Sequence, residues 1–458
     1  SGWHPWIGIE NSWIGIENSC NTTTEAACNP TCSRSATHTI MSQTFRTSIA
    51  LLLCAYIIMG MSCTERKEKQ SLRLWHFWSE PAQRKVFSDL IHEFEKSNPD
   101  VHVELTELSW ADGKAKLQTA FASGDVPDII HLGLEWTQEF ATAGVLLTLP
   151  DSVVSQIPKA LRHSVTSNNT VIALPWVMNT RALFVRNDVL QKISTLHHGS
   201  GVLTMSDLFK VCSSMAPGAP FAFQAYEPHN VLKKVLPFLW SSGSKIFQSL
   251  PLHSSIDSAA VEALTLYSDE ARRGRIDKSR SLDELLRRRE LGVWLSGMWN
   301  ISDSVIARSY SVLSTMPALR SQSPARGESV LSADCYSIAA SSAHKEAALK
   351  VIQFLARPLT ALRFCASIPD AGFPCVTVDK DSSPNANLYD SILSRPHAQA
   401  FLDQCQRSIA LPSPPYFLDA ERIFEEEVTE AMFGRKTASR ALHDIRSRLI
   451  SLEKQLNQ

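Results

Sequence analysis

From residue 71 onward the apolar positions follow two periods in alternation. Val86, Phe87, Leu90, Ile91 and Phe94 recur at three- and four-residue steps and share one helix face, which ends at Ser97-Asn98-Pro99-Asp100. Val101, Val103 and Leu105 then alternate with polar residues, as in a half-buried strand. The pattern predicts a helix from Lys114 to Ala122 stopped by Gly124 and a buried strand Asp128 to Leu132 introduced by Pro127. A short helix from Glu135 to Ala143 follows, closed by Gly144. Strands are expected at Val171–Pro175 and Arg181–Val185 around a short connection, then at Gly292–Leu295 and Ser337–Ala340. A helix spans Lys345 to Ala356, and the C-terminal end is helical with an interruption at Gly434. Strands alternating with helices imply parallel strands covered by helices on both faces.

The N-terminal end reads differently. Ile49 to Met61 is an apolar run of roughly a dozen residues, inside the signal-peptide range and too short to span a bilayer. Met41 can start translation and Arg46 precedes the run with a positive charge. Gly60-Met61-Ser62-Cys63 resembles a bacterial lipobox, with Gly60 where Leu is usual. Residues 41–62 are therefore expected to be a lipoprotein signal peptide. Cys63 is the lipidation candidate, and the charged stretch 63–70 is a tether; an ordinary secretory signal is the other reading. In residues 1–40, Trp6 to Ser12 repeats at once as Trp13 to Ser19, too few copies for a solenoid. This segment is read as upstream sequence outside the natural protein.

The remainder, roughly 390 residues, exceeds what one core supports, so two lobes are expected. The chain is 44% apolar and 20% charged with net charge −1, which offers no electrostatic footprint for nucleic acid. Cys212, Cys335, Cys365, Cys375 and Cys405 form no C-x-x-C and no Cys/His ligand spacing, so neither a metal nor a cofactor is expected; Cys365 and Cys375 could bridge a short loop. No nucleotide-binding, zinc-protease or hydrolase motif occurs.

Several stretches, in order, resemble family 1 extracellular solute-binding proteins, the maltose-binding-protein-like receptors of ABC importers. They are Leu74-Trp75-His76-Phe77-Trp78, then Phe121 to Ile130 with its small-Gly-x-x-Pro-Asp-Ile pattern, and Phe140 to Leu146. After these come Val171 to Pro175, Leu183 to Leu190, Gly297-Met298-Trp299 and Glu425 to Leu442. Ala333-Asp334 stands where a Gly pair is frequent. The resemblance implies a two-lobed periplasmic-binding-protein-like fold of type II, each lobe a mostly parallel sheet flanked by helices. Residues 71–178 plus 331–375 would form the N-terminal lobe and residues 179–330 plus 376–458 the C-terminal lobe. It also implies an extracytoplasmic, lipid-anchored monomer, not an enzyme, that binds a carbohydrate between the lobes and delivers it to ABC permease subunits. A glycerol phosphate is the alternative ligand.

Sheets of this kind bind ligands at the carboxyl ends of their strands. The chain places aromatic and acidic residues at such ends, the mixture a sugar's C–H faces and hydroxyls require. The candidate ligand residues are Trp78, Glu80, Glu135, Trp136, Asn179, Arg181, Tyr226, Glu227, His229 and Trp299. Phe221 to His229 is similar to the family's cleft segment, with His229 in an aromatic's place. Trp78 could instead staple a helix start, Glu135 could answer a helix dipole and Trp136 could anchor a helix face. Glu80, Glu135 and Glu227 keep a secreted glycosidase open as an alternative.

Overall fold

A computed structural model describes residues 69–196, 202–225, 230–277, 281–376 and 386–456. The export signal, Cys63, residues 1–40, and Tyr226, Glu227 and His229 lie outside the described residues.

The first lobe begins with Gln70–His76 (β1), Pro81–Ser97 (α1) and Val101–Glu107 (β2). Pro81 suits the first turn of α1 because that position has no intrahelical N–H bond to lose. Gly113–Ser123 (α2) ends at Gly124, whose φ of 78° is left-handed and free of cost only for glycine. Ile129–Gly133 (β3) and Thr137–Thr142 (α3) follow. The long strand Leu174–Arg186 (β4) leads to Asn187–Leu196 (α4), Met205–Met215 (α5) and Ala222–Gln224 (β5). Next come Val231–Trp240 (α6), Ser258–Arg273 (α7), Arg275–Asp277 (β6), Leu282–Arg287 (α8) and Val293–Gly297 (β7). Ser304–Ser309 (α9), Tyr310–Val312 (β8), Val330–Ile338 (β9), Lys345–Leu355 (α10), Pro358–Ser367 (α11) and Phe373–Pro374 (β10) return the chain. Ala386–Leu393 (α12), Ala398–Arg407 (α13), Ile409–Ala410 (β11), Phe417–Met432 (α14) and Ala438–Leu456 (α15) complete it.

The fold is a two-lobed α/β arrangement, and its sheet is mixed. β1 lies parallel to both β2 and β3, as the βα rhythm predicts. β9 runs antiparallel to β3 and β4, and β4 runs antiparallel to β7 and β8. β4 joins the lobes: Leu174 to Thr180 pair with β9, and Arg181 to Val185 pair with β7. Two strands were expected here around a connection. The chain stays extended through Trp176 to Thr180 because β9 and β10 both bond to this stretch, which local alternation does not reveal. β9 likewise begins seven residues before the expected Ser337, since Val330 to Ala333 pair with Ile409, Ala410 and β4. Ala333-Asp334 does not interrupt it; a register shift falls between Asp334 and Cys335, opposite Trp176.

Alternation along the strands distributes the core between layers. Ile129 belongs to the core cluster that holds Leu90, Val351 and Phe364, whereas Ile130 belongs to the one that holds Leu117 and Phe140. Further along, Ala182 and Phe184 share a cluster with Leu285 and Phe401, the Phe184 and Phe401 ring centroids 5.7 Å apart, and Leu183 and Val185 share another with Leu208, Leu236, Leu264 and Ile445. Each large side chain buried this way contributes about 1.5–3 kcal/mol.

The five described cysteines are buried free thiols, so the Cys365–Cys375 bridge is not formed. Cys365 belongs to the core-facing side of α11, and Cys375 is held on β4 by its N–H bond to the Trp176 carbonyl at 2.8 Å. Both behave as small apolar residues. Burial pushes the Cys212 and Cys405 thiols up to about 12 and Cys365 higher still. Native protein treated with a maleimide should therefore stay unlabelled at these five positions by peptide mass mapping, and label at all five in denaturant. Rapid native labelling at any of them would contradict the packing.

Candidate functional site

The carboxyl ends of β1, β2 and β3 converge. His131 of β3 organises them: the Phe77 N–H donates to its Nδ1 at 3.1 Å, which leaves the proton on Nε2, 3.0 Å from Asp334 Oδ1 on β9. One buried imidazole thus ties the end of β1 to the second crossing strand. Trp78 turns inward from this point. Its indole N–H donates to the Tyr336 hydroxyl at 3.0 Å, and its ring packs on Phe364, His131 and Trp176. Trp78 is 6% exposed and part of the aromatic core. Glu80 is exposed at the residue before α1. It acts on Asp370, whose carboxyl is raised by burial first and by Glu80 as well.

Four other candidates come together where the lobes meet. Glu135, flanked by first-lobe core residues Leu134 and Trp136, forms an ion pair with Lys233, which sits among second-lobe core residues on α6. The two side chains are 11% and 8% exposed. Burial works against the Glu135 charge, but the Lys233 ammonium, its hydrogen bond and the Arg181 charge outweigh burial and hold the carboxyl below its usual value. Arg181 is 7% exposed, donates to Asn179 Oδ1 at 3.1 Å and places its guanidinium 5.0 Å from the Trp299 ring centroid.

The Gly-x-Trp turn has a definite steric cause. A Cβ on Gly297 would stand 1.8 Å from Trp299 Cζ3 and 2.3 Å from both of its ring neighbours. Neighbour distances this short put it above the ring face, since a point outside the ring in its plane would stand farther from both, so the indole lies flat on the glycine. Gly297 pairs with Arg181 across β7 and β4, and the ring fills the side-chain place glycine leaves beside Arg181. Asp283, in the first turn of α8, anchors the group. It accepts from the indole N–H of Trp299 at 2.8 Å and of Trp294 at 2.9 Å, from Ser296 Oγ at 2.7 Å and from Asn300 Nδ2 at 3.0 Å. Burial alone would raise this carboxyl. The Lys234 charge and the hydrogen bonds from Trp299, Ser296 and Trp294 outweigh it and lower the pKa. Lys234 also lies 4.2 Å from the Trp294 ring centroid.

Trp136 is buried within the first lobe, near Phe77, Trp110 and the Lys114 ammonium. The structure therefore joins Glu135, Asn179, Arg181 and Trp299, keeps Trp78 and Trp136 in or against the first-lobe core, and leaves Glu80 apart.

Lys233, Asp283 and Trp110 were missed by the sequence reading. Lys233 and Lys234 interrupt the otherwise apolar run VLKKVLPFLW, and a cation in a buried helix needs a partner. Trp110 lies just beyond a strand, the position that selected Trp136. Asp283 carries no local signal. Among the described residues no group of three or more His, Cys, Asp or Glu is arranged to hold a metal ion. None of the described helices is long and apolar enough to cross a membrane.

Residues 78–211 match the family of bacterial extracellular solute-binding proteins. An uncharacterized lipoprotein from the oleD 5′ region of Streptomyces antibioticus is 28% identical over 153 residues, covering 32% of this chain and 34% of the relative. An uncharacterized ABC transporter extracellular-binding protein of Pyrococcus horikoshii is 25% identical over 173 residues, covering 35% and 38%. The alignments thus span about a third of the length of these curated relatives. Among solved structures, an ABC substrate-binding protein from Listeria monocytogenes, in complex with cycloalternan, superposes with a TM-score of 0.70 at 18% identity. That match covers 84% of this chain and 99% of the Listeria protein.

Proposed function

We propose that this chain, of which residues 78–211 match the family of bacterial extracellular solute-binding proteins, is the lipid-anchored receptor of an ABC importer, binding a carbohydrate between its lobes and passing it to the permease. The observation that carries this is the Glu135–Lys233 contact beside Arg181, Asn179 and Trp299. It sets hydroxyl-binding charges and an aromatic ring at the line where the two lobes touch. Residues 71–178 plus 331–375 and residues 179–330 plus 376–458 are the lobes that close on the ligand. The Streptomyces relative's description as a lipoprotein supports anchoring through Cys63, and the Pyrococcus relative's as an ABC extracellular-binding protein supports the permease partner. The Listeria neighbour's cycloalternan supports a saccharide.

A second reading has an observation of its own. Arg181 and Lys233 bring two cations to the junction, which suits an anionic polyol such as a glycerol phosphate. A thermal-shift panel of mono- and oligosaccharides with glycerol 3-phosphate separates the two, because a ligand that binds the native state raises Tm. Recovery of the sugar intact distinguishes a receptor from a glycosidase. A panel in which nothing raises Tm would refute the receptor reading.

Trp299→Ala should weaken the best ligand of that panel about ten-fold by calorimetry, since the ring supports Arg181 and offers part of its surface to a sugar. The fold should persist, because the ring is only part-buried. Normal affinity together with a large drop in stability would make Trp299 a purely structural residue.

A further inference from the structure

Opening the lobes must break one contact that the crossing strands do not make. Glu135 stands just beyond β3 of the first lobe, and Lys233 lies in the first turn of α6 of the second. Their side chains meet as an ion pair that is 11% and 8% exposed. The contacts at the hinge differ in kind. β4 and β9 pair where the chain passes between the lobes, and His163 Nε2 donates to the Ala410 carbonyl at 3.2 Å beside β9. A rotation about the crossings can leave these in place. It cannot leave Glu135 on Lys233.

α6 supplies the second-lobe half of this contact. All ten of its residues are buried, and Lys233 and Lys234 are its two charges. Neighbouring residues on a helix point about 100° apart. Lys234 turns into its own lobe, where Asp283 and the Trp294 ring answer its charge. Lys233 turns the other way and is answered from the first lobe by Glu135. Leu418 of α14 packs against the cluster of Trp136 and Phe140 as well as the second-lobe cluster, so apolar surface also bridges the lobes.

Two charges at this depth are stable together and costly apart. Removing either leaves the other desolvated, which water relieves once the lobes separate. Arg181 makes the balance unequal: its charge also acts on Glu135, so one carboxylate answers two cations. Every group in the contact belongs to the chain itself.

We propose that the Glu135–Lys233 pair is a latch that holds the lobes closed before any ligand arrives, so that a ligand enters through a minor open population. Apparent affinity is then lowered by the fraction that is open.

The experiment is small-angle X-ray scattering on the full-length protein, stripped of bound small molecules by unfolding in guanidinium, dialysis and refolding. Lys233→Met and Glu135→Gln should each give a larger radius of gyration than wild type, with far-UV dichroism unchanged. Glu135→Gln should expand more, because it leaves Lys233 and Arg181 without a carboxylate. Lys233→Arg keeps the charge and should keep the wild-type radius. A wild-type radius in both neutral variants overturns the latch, as does an expansion in Lys233→Arg equal to that in Lys233→Met. If one neutral variant loses its secondary structure, the other decides by the same comparison. Loss in both assigns the pair to the fold and overturns the latch as well. None of these results touches the receptor reading, which the ligand panel decides.

Discussion

Asp283→Ala is expected to destabilise the protein by about 3–5 kcal/mol, the cost of breaking a buried ionic hydrogen-bond network by removing one partner. The substitution strips the acceptor from Trp294, Ser296, Trp299 and Asn300 at once. It also removes the counter-charge that Lys234 faces inside the second lobe. Each donor left without a partner adds a desolvation cost of about 1–3 kcal/mol, reduced where water can reach it. Asp283→Asn keeps the shape and one acceptor but turns an N–H₂ toward indole donors, so it should fall between the two. Urea denaturation followed by far-UV dichroism measures the difference. A loss under about 1 kcal/mol in Asp283→Ala would mean that the donors find other partners.

The same carboxyl gives the effect a pH dependence. Its folded pKa lies below the ordinary value of 3.8. Its contribution is therefore fully present above that value and is lost as pH falls through the lower folded value. The gap between wild type and Asp283→Ala should be flat from neutral pH down to the carboxylate range and should narrow only below it. Glu135 follows the same sign, so its pairing with Lys233 should weaken only in acid.

Trp78→Ala is expected to cost about 3–5 kcal/mol as well, by a different route: a cavity in an aromatic core. The indole lies against Phe364 at 4.8 Å, His131 at 5.2 Å and Trp176 at 5.8 Å between centroids, and it donates to the Tyr336 hydroxyl. Removing it empties that space and leaves a fully buried phenol short of a partner. Because the ring contributes to packing, the folded fraction should bind ligand with affinity within about two-fold of wild type, a difference well under 1 kcal/mol. Denaturation and calorimetry on one preparation read both quantities. A stable mutant with a ten-fold weaker ligand would return Trp78 to the binding surface.

The contrast between Trp78 and Trp299 marks how far residue order reaches. Both are tryptophans just beyond a strand, and the local pattern treats them alike. Trp78 is covered by Tyr336, 258 residues away in sequence. Trp299 lies on Gly297, two residues away, and that tight motif is why the sequence reading could select it. Glu135 was legible as an acid at a strand end, but Lys233, which determines its charge state, is 98 residues distant.

The sequence by itself determined the parallel β1, β2 and β3 core with its intervening helices and the Gly-Met-Trp turn. Periodicity, caps and short-range sterics act over a few residues and are written in their order. The tertiary structure alone decided that β4 runs unbroken between the lobes, that Cys365 and Cys375 remain thiols, and that Glu135, Asn179, Arg181 and Trp299 meet while Glu80 does not. It alone brought Asp283 to four donors. The physical reason is common to all of these: burial, pairing and charge state depend on which distant segment covers a side chain, and no local pattern encodes that partner.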